Sequence, residues 1–413
     1  MKGVLLIIDG MADLPNEQLQ GKTPLEDAHT PNMNFLAARG KLGIMDPVKP
    51  GFAPESEQSI LNFFGNDLMF GTRGQLEAIG ENINLLRGDI ALRANFATVD
   101  SLNDGNILDR RTGRTLTATE IDSLAKAISK IQLPCKFTFK PTVLHQAILV
   151  FRGGFSDNVM GNDTTYIQGK TNRITKVRKS IPLDDEDNSR FTANILNEFA
   201  EKAHDILENH PVNQERKKNG LLPANYILFR GVGVDFPKLK QYKNWMSFSY
   251  FPLERGFSKA SGMQVFSFDY PKLKNIDSYS VIWDGLRRAC NLAVNIIRAN
   301  HRRFDYAYIH IVEPDIPGHD GKPFEKKAMI EYIDSTLIKF LKDFATVNQI
   351  KVVVTANHST PCSLKDHSAD PVPLLFYNAS IPKENEFSEA SARRGELGRI
   401  LGKDLLSVTG FDR

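Results

Sequence analysis

The chain has 413 residues, and a single compact core stops growing well below that length, so we expect two domains. Hydrophobic residues make up 41% and charged residues 24%, without low-complexity tracts, which excludes a largely disordered chain. The net charge of +3 comes from nearly balanced acids and bases, which argues against a nucleic-acid partner and favours a small, locally bound anion.

A buried strand is the first predicted element. Residues 2–8 are mostly Leu, Ile and Val and lead into Asp9, as in a strand that is buried on both faces. This run is too short for a signal sequence or a membrane span, so we predict a cytoplasmic location and no membrane partner. Asp9 stands where open α/β sheets bind ligands, although a lone Asp at a strand end is more often a turn or cap residue.

Two short helices are predicted next. Thr30 is expected to cap the first with its hydroxyl, and Gly40 to end it. Ser56 stands at the N-terminus of the second, which Gly65 ends. Backbone N–H groups and the helix dipole there would favour a serine alkoxide and a bound phosphate. The alternative is that Ser56 is an ordinary N-cap.

Residues 86–245 are predicted to form an inserted α+β domain, which leaves residues 1–85 and 246–413 as the main domain. The insert is expected to contain strands at 89–99, 136–140, 143–152 and 225–230, and helices at 122–131 and 191–208. We expect errors of several residues at the boundaries.

The insert carries a set of polar side chains, most of them near Gly or Pro turns. They are Arg93, Arg110, Arg111, Arg114, His210, Asn213, Arg216 and Arg230. Arginine forks match phosphate and carboxylate geometry, so a cluster would suit a small phosphorylated acid. The alternative is a solvated surface, because the chain has 52 Lys and Arg residues in all.

The C-terminal third alternates between helices and strands. Helices are predicted at 285–299 and 326–344, and strands at 306–311, 351–355 and 372–377. This rhythm predicts an α/β fold with a mostly parallel sheet that is covered by helices.

Three segments that follow predicted strands are rich in metal ligands. The first holds Asp9, the second Glu313, Asp315, His319 and Asp320, and the third Asn357, His358, Asp366 and His367. If the sheet is parallel, these loops meet at one edge. Carboxylates and imidazoles suit Zn²⁺ and Mn²⁺, and two such ions can clamp a phosphoryl group while Ser56 acts as the nucleophile.

Two common cofactor arrangements are not indicated. The chain has no GxxxxGK[ST] loop, so no P-loop for a nucleotide is predicted. Cys135, Cys290 and Cys362 are widely separated, which predicts reduced structural thiols rather than disulfides or a thiolate zinc site.

These residues resemble a known family along nearly the whole chain: the archaeal-type cofactor-independent phosphoglycerate mutases of the alkaline phosphatase superfamily. The motifs that carry the resemblance are IIDGMADLP, GKTPLEDAHTPNMNFLA, APESEQSILNFFGND, RGQLEAIG, ALRANFATVD, DRRTGR, HPVNQERKKNGLLPAN, LFRG, HIVEPDIPGHDG and HSTPCSLKDHSADPVPLL. The resemblance implies an alkaline-phosphatase-like fold and phosphoryl transfer between the hydroxyls of 3-phosphoglycerate and 2-phosphoglycerate, in glycolysis or gluconeogenesis, through a phosphoserine.

The resemblance also implies a cofactor and a set of site residues. The cofactor is two divalent ions, Mn²⁺, Mg²⁺ or Zn²⁺, with neither a nucleotide nor 2,3-bisphosphoglycerate. One ion is held by Asp9, Ser56, Asn357 and His358, and the other by Asp315, His319 and His367. The substrate is held by Arg93, Arg110, Arg111, His210, Asn213, Arg216 and Arg230.

The sequence departs from the family pattern at three places. Asn357 stands where the family has Asp, which removes one negative charge from the serine-side metal site. Val312 stands where many relatives have Lys, and residues 267–279 replace a Gly-Thr-rich stretch. These departures leave two alternatives open: a related phosphotransferase or phosphohydrolase acting on another small phosphate ester, or a degenerate protein that only binds a metabolite or a partner.

Overall fold

The structure is a computed structural model, and it describes residues 1–67, 72–103, 105–163, 166–167, 170–171, 176–234 and 238–412. Its strands, in chain order, are β1 (Gly3–Ile8), β2 (Gly40–Asp46), β3 (Ile90–Val99), β4 (Ile107–Asp109), β5 (Phe137–Pro141), β6 (Gln146–Phe151), β7 (Val159–Met160), β8 (Tyr166–Ile167), β9 (Lys170–Thr171), β10 (Ile181–Pro182), β11 (Tyr226–Gly233), β12 (Trp245–Phe248), β13 (Gln264–Phe266), β14 (Tyr306–Ile311), β15 (Lys351–Thr355), β16 (Val372–Tyr377) and β17 (Gly398–Leu401).

The helices are α1 (Pro24–Asp27), α2 (Pro31–Ala38), α3 (Ser56–Phe63), α4 (Arg73–Gly80), α5 (Ala118–Ile128), α6 (Asp187–Glu208), α7 (Pro211–Lys218), α8 (Pro252–Ala260), α9 (Ser278–Asn300), α10 (Asp315–Asp320), α11 (Pro323–Ile333), α12 (Lys339–Asn348), α13 (Glu389–Arg393) and α14 (Leu405–Thr409). Short 3₁₀ turns lie at Glu17–Leu19, Thr112–Arg114 and Gly402–Asp404, and a π turn at Asp334–Ile338 joins α11 to α12. No helix of the described ranges is both long enough and apolar enough to cross a membrane.

The larger sheet has eight strands in the order β13-β12-β14-β1-β15-β16-β2-β17. Pairing is parallel except at β15-β16 and β16-β2. Every residue of β1 and β14 is buried, as their apolar sequences require, and helices pack on the sheet to form one large core. The predicted α/β fold with a mostly parallel sheet is confirmed.

A second sheet, in the order β11-β3-β6-β5 with β4 added to β3, is antiparallel and has its own hydrophobic core with α5 and α6. All its strands lie within the predicted insert. The domain limits at residues 86 and 245 stay a prediction.

Three local expectations change in the structure. Thr30 precedes α2, but its side chain makes no capping hydrogen bond. Gly40 is the first residue of β2, where a Cβ would lie 2.5 Å from the carbonyl oxygen of Phe376. The helix expected at 326–344 is α11, the π turn and α12 in succession.

The register of the larger sheet explains how distant segments come together. Ile8 pairs with Ile311 in β14, and Ile7 pairs with Thr355 in β15, both in parallel. Strands β14, β1 and β15 therefore lie side by side and end at the same edge of the sheet. This confirms that the three predicted ligand segments share one edge.

Helix α4 crosses α8 at very close range. A Cβ on Gly256 would lie 1.6 Å from the carbonyl oxygen of Leu76, and a Cβ on Gly80 would lie 1.9 Å from that of Pro252. The two glycines let the helix backbones touch, and α4 also packs on β3 and β11 of the smaller sheet. Helix α4 thus connects the two sheets.

We expect Gly256→Ala to lower the free energy of unfolding by about 1–3 kcal/mol, because α4 and α8 must move apart. The sign is the test, since alanine in an unobstructed helix stabilises by about 1 kcal/mol relative to glycine. Urea denaturation measures the change, with Ser280→Ala on the exposed start of α9 as the control. Unchanged or increased stability would contradict this account of the crossing.

Candidate active site

Asp9 lies at the end of β1 between two imidazoles. Its Oδ2 is 3.2 Å from Nε2 of His310 in hydrogen-bonding geometry. Its Oδ1 is 3.1 Å from Nε2 of His358, yet no hydrogen bond reaches Oδ1. Burial raises the pKa of Asp9, but the two imidazoles outweigh burial and the net pKa is lowered. Asp9 is therefore a charged carboxylate with one unsatisfied oxygen.

Ser56 is the first residue of α3 and points its hydroxyl at the same imidazole. The Oγ of Ser56 lies 3.2 Å from Nε2 of His358. The N-cap position belongs to Glu55, whose N–H donates to the side chain of Gln58 at 2.9 Å. The hydroxyl of Ser56 is not used as a helix cap, so the ordinary N-cap reading is wrong.

A second group of ligands stands on α10 and in the loop after β15. Asp315 and His319 lie one helical turn apart, with Nε2 of His319 3.3 Å from Oδ2. Nε2 of His367 lies 3.9 Å from Oδ1 of Asp315. Burial and the neighbouring His358 and His319 lower the pKa of His367 well below its usual value. A neutral imidazole is the form that binds a metal.

The other ring nitrogens of these histidines are held by oxygen atoms. Nδ1 of His367 lies 2.8 Å from the carbonyl of Pro54, and Nδ1 of His319 lies 3.2 Å from that of Lys365. Nδ1 of His358 lies 3.0 Å from Oγ1 of Thr360. Such contacts orient metal-binding histidines and direct Nε2 toward the ion.

The side chains present fit a divalent metal. Ligand atoms of Asp315, His358 and His367 all lie within 4.8 Å of one another. The unsatisfied Oδ1 of Asp9 borders the same space through His358. Carboxylates with imidazoles form a donor set for Mn²⁺, Zn²⁺ or related ions, and this structure does not select one of them.

Asn357 is fully buried next to His358 in the chain, and only one of its two side-chain polar atoms is hydrogen-bonded. Its Oδ1 accepts from the backbone N–H groups of Gly10 at 3.2 Å and His358 at 3.0 Å. Its Nδ2 has no hydrogen-bond partner. An Asp could accept both backbone bonds and still offer a second oxygen, whereas Asn offers an NH₂ group that cannot bind a cation. Its role as a ligand stays a prediction.

A cavity of about 490 Å³ opens over this edge of the sheet. Its lining includes Asp9, Ser56, Asp315, His319 and His367, and also Arg73, Arg93, Arg110, Arg111, Arg114, Arg230 and His145. The structure thus brings side chains with metal-binding atoms and a set of cationic side chains to one cavity. Four of the seven predicted substrate residues lie in this cavity.

Most of these arginines already contact an acid. Arg93 binds Glu77 at 2.6 Å, and Arg230 binds Glu55 at 2.8 Å. Asp163 contacts both Arg230 and Arg110. The acids fix the guanidinium orientations in the cavity.

Three predicted substrate residues lie elsewhere, so that part of the prediction is not supported. His210 caps α7, with its Nδ1 accepting from the N–H of Val212 at 3.2 Å. Asn213 is buried, and its side-chain NH₂ donates to the carbonyls of Leu207 and Ala224 while its Oδ1 accepts from the N–H of Ala224. Arg216 is buried and pairs with Glu120 at 3.1 Å. Their polar atoms hold the smaller domain together.

The cavity also contains residues that sequence reasoning did not assign to the site. Arg73 is the first residue of the RGQLEAIG motif and lines the cavity, but the sequence does not mark it as a site residue. His145 is buried, and burial together with nearby arginines lowers its pKa well below the usual value. Glu254, in the first turn of α8, lines the cavity as well. No local sequence signal marks His145 or Glu254.

Two families match the chain. The family described as 2,3-bisphosphoglycerate-independent phosphoglycerate mutase matches residues 37–213, and the Metalloenzyme superfamily matches residues 267–409. A protein with the first of these names from Picrophilus torridus is 38% identical over 415 residues, covering 98% of this chain and 96% of the relative. The protein of the same name from Pyrococcus furiosus is 37% identical over 419 residues, covering 98% of this chain and 96% of the relative.

Solved structures agree with these matches. A protein of Pyrococcus horikoshii superposes with a TM-score of 0.71 at 29% identity and covers 99% of this chain and 96% of its own. The cofactor-independent phosphoglycerate mutase of Thermoplasma acidophilum gives a TM-score of 0.56 at 29% identity, with coverage of 100% and 99%.

We expect Asn357→Asp to tighten binding of Mn²⁺ at the Asp9 side by at least about tenfold, because a carboxylate oxygen replaces the unpartnered NH₂ group. Isothermal titration with Mn²⁺ measures the change. Asn95→Asp is the matched control, because it adds the same charge in the cavity beside Arg93. Equal Mn²⁺ affinity of Asn357→Asp and the native chain would contradict the prediction that position 357 belongs to the metal site.

We expect Arg216→Leu to lower the free energy of unfolding by roughly 2 kcal/mol, since Glu120 and the carbonyl of Leu222 lose a charged donor. Chemical denaturation measures this loss. Arg111→Leu, in the cavity, is the comparison and should weaken anion binding. A stable Arg216→Leu variant with weakened anion binding would return Arg216 to the substrate site.

Proposed function

We infer the function of this chain from two observations: it belongs to the 2,3-bisphosphoglycerate-independent phosphoglycerate mutase family, and its Ser56 shares a cavity with carboxylates, imidazoles and arginines. We propose that the protein interconverts 3-phosphoglycerate and 2-phosphoglycerate through a phosphorylated Ser56. The observation that supports this most directly is the contact of 3.2 Å between Oγ of Ser56 and Nε2 of His358.

In the proposed reaction, Oγ of Ser56 attacks the phosphorus of the bound phosphate ester. The bond between phosphorus and the glycerate oxygen breaks, and the serine proton is returned overall to that departing oxygen. The other glycerate hydroxyl then attacks the phosphorus of the phosphoserine, the bond between phosphorus and Oγ breaks, and the hydroxyl proton is returned overall to Oγ. Atoms and charges balance, and no second phosphate compound is consumed.

Two divalent ions would supply positive charge for the phosphoryl oxygens and acidify the serine hydroxyl. Asp9, Ser56 and His358 would hold one ion and Asp315, His319 and His367 the other. Asn357 would join the first group only through an oxygen that already accepts two backbone bonds.

The arginine side of the cavity would hold the glycerate while its two hydroxyls exchange places. Arg110 and Arg230 are partly exposed there, and their contacts with Asp163 fix their direction. Arginine forks bind carboxylates in a bidentate manner, which keeps the glycerate close during reorientation. Enclosure between the two sheets limits the water that would hydrolyse a phosphoserine.

A related phosphohydrolase is the second candidate, because Val312 places an apolar side chain in the cavity wall. At this position the cavity has no charge that could bind the glycerate. Weaker retention of the glycerate would favour water as the acceptor and release inorganic phosphate.

We expect turnover of 3-phosphoglycerate to 2-phosphoglycerate with added Mn²⁺, and a loss of at least about 10⁴-fold in kcat for Ser56→Ala, because no other side-chain hydroxyl lines the cavity among the residues that the structure describes. An enolase-coupled assay measures the product. Ser59→Ala is the matched control, since this buried serine lies one turn further along α3 and outside the cavity lining.

Other outcomes separate the candidates. Release of inorganic phosphate without isomerisation would replace the mutase with a phosphohydrolase. No turnover with any divalent metal, together with ligand binding that Ser56→Ala leaves unchanged, would mean that the chain only binds a metabolite.

A further inference from the structure

Another cluster of side chains with metal-binding atoms shares Asp9 with the site described above. Atoms of Asp9, Glu254 and His310 all lie within 4.8 Å of one another. The three residues come from the end of β1, the first turn of α8 and β14, and they are 3%, 3% and 0% exposed. Two of them, Glu254 and His310, belong to neither of the metal sites described above.

Glu254 is the residue that most needs a partner. Its Oε2 is buried and receives no hydrogen bond. No salt bridge from Lys or Arg reaches Glu254 within the part of the chain that the structure describes. A buried carboxyl group without a donor is costly, and its position among other ligand atoms points to a cation as the partner.

His310 is held in a manner suited to metal binding. Its Nδ1 lies 2.8 Å from the hydroxyl oxygen of Tyr308, while Nε2 faces Asp9 at 3.2 Å. If the ring proton lies on Nδ1 and is donated to Tyr308, Nε2 carries a lone pair, and an ion bound there would replace the contact between Nε2 and Asp9. An oxygen partner on the second ring nitrogen is the usual way in which proteins orient such a ligand.

The lack of a carboxylate at position 357 bears on the function of Glu254. Asn357 carries an unpartnered NH₂ group in place of the second carboxylate oxygen that an Asp would have. Glu254 supplies a carboxylate oxygen within 4.8 Å of a carboxylate oxygen of Asp9, and it lines the same cavity. The negative charge lost at one position beside Asp9 is therefore available at another.

We propose that Asp9, Glu254 and His310 form a binding site for a divalent cation of the Mn²⁺ or Mg²⁺ type, adjacent to the Ser56 site and sharing Asp9 with it. Two carboxylates and one imidazole form a hard, charged donor set for such ions. The site does not depend on the mutase reaction, because it concerns cation binding alone.

Crystals of the native chain grown with Mn²⁺ provide the direct test. We expect an anomalous difference peak at the manganese edge, bounded by the side chains of Asp9, Glu254 and His310. Peaks confined to the group of Asp315, His319 and His367, or to Ser56 and His358, would overturn the proposal. This measurement needs no variant and no activity.

Binding stoichiometry gives a second, independent test. Equilibrium dialysis, with free Mn²⁺ followed by electron paramagnetic resonance, should show one Mn²⁺ per chain fewer for Glu254→Gln than for the native protein. Glu389→Gln is the matched control, because Glu389 is also a buried carboxyl group but bonds Thr23 and the N–H of Asp13 far from the cavity. An unchanged count and unchanged affinity in Glu254→Gln would overturn the site. A mutase assay on the same samples is read separately, so failure of the proposed function stays distinguishable.

Discussion

The site depends on one constraint: a charged carboxylate must be stabilised inside the protein, at the point where three parallel strands end side by side. Asp9 is 3% exposed and ionised, and its nearest charged or polar partners come from β14 and the loop after β15. A carboxylate in such a place requires imidazoles or metal ions around it. The parallel register delivers them, since Ile8, Ile311 and Thr355 lie on adjacent strands just before the ligand segments.

The same constraint explains why position 357 matters. Its side chain must accept the N–H groups of Gly10 and His358, which are fixed by the turn after β1 and the turn after β15. Asn and Asp perform this structural task equally well, so the fold tolerates the exchange. Only the second side-chain atom differs, and in Asn357 that atom is a buried NH₂ group without a hydrogen-bond partner. The substitution therefore alters the electrostatics of the site without disturbing its framework.

The sequence predicts elements well where a pattern is local and fails where a contact is distant. Strands 306–311, 351–355 and 372–377 were predicted at their observed limits, because buried apolar runs are short and sharply bounded. The shared edge for the ligands followed from the βαβ order. The role of Arg216 was not predictable, because its partner Glu120 is 96 positions away in the chain and an arginine beside Gly and Pro looks like any surface residue. Glu254 was missed for the same reason: one acid in a helical first turn is common, and only the tertiary fold brings it to Asp9.

Acidic and basic side chains share the lining of one cavity, and this bears on how a reorienting substrate could stay bound. Asp9 and Asp315 are the carboxylates that would attract cations at the sheet edge, whereas arginines of the same cavity pair with Glu55, Glu77 and Asp163. An anion entering the cavity must therefore compete with these acids for the guanidinium groups. In the proposed reaction, the phosphoryl group stays at the metal-binding edge while the carboxylate stays near the arginines. Once it is separated from the phosphoryl group, the glycerate has only to turn about its bound carboxylate for its second hydroxyl to reach the phosphoserine.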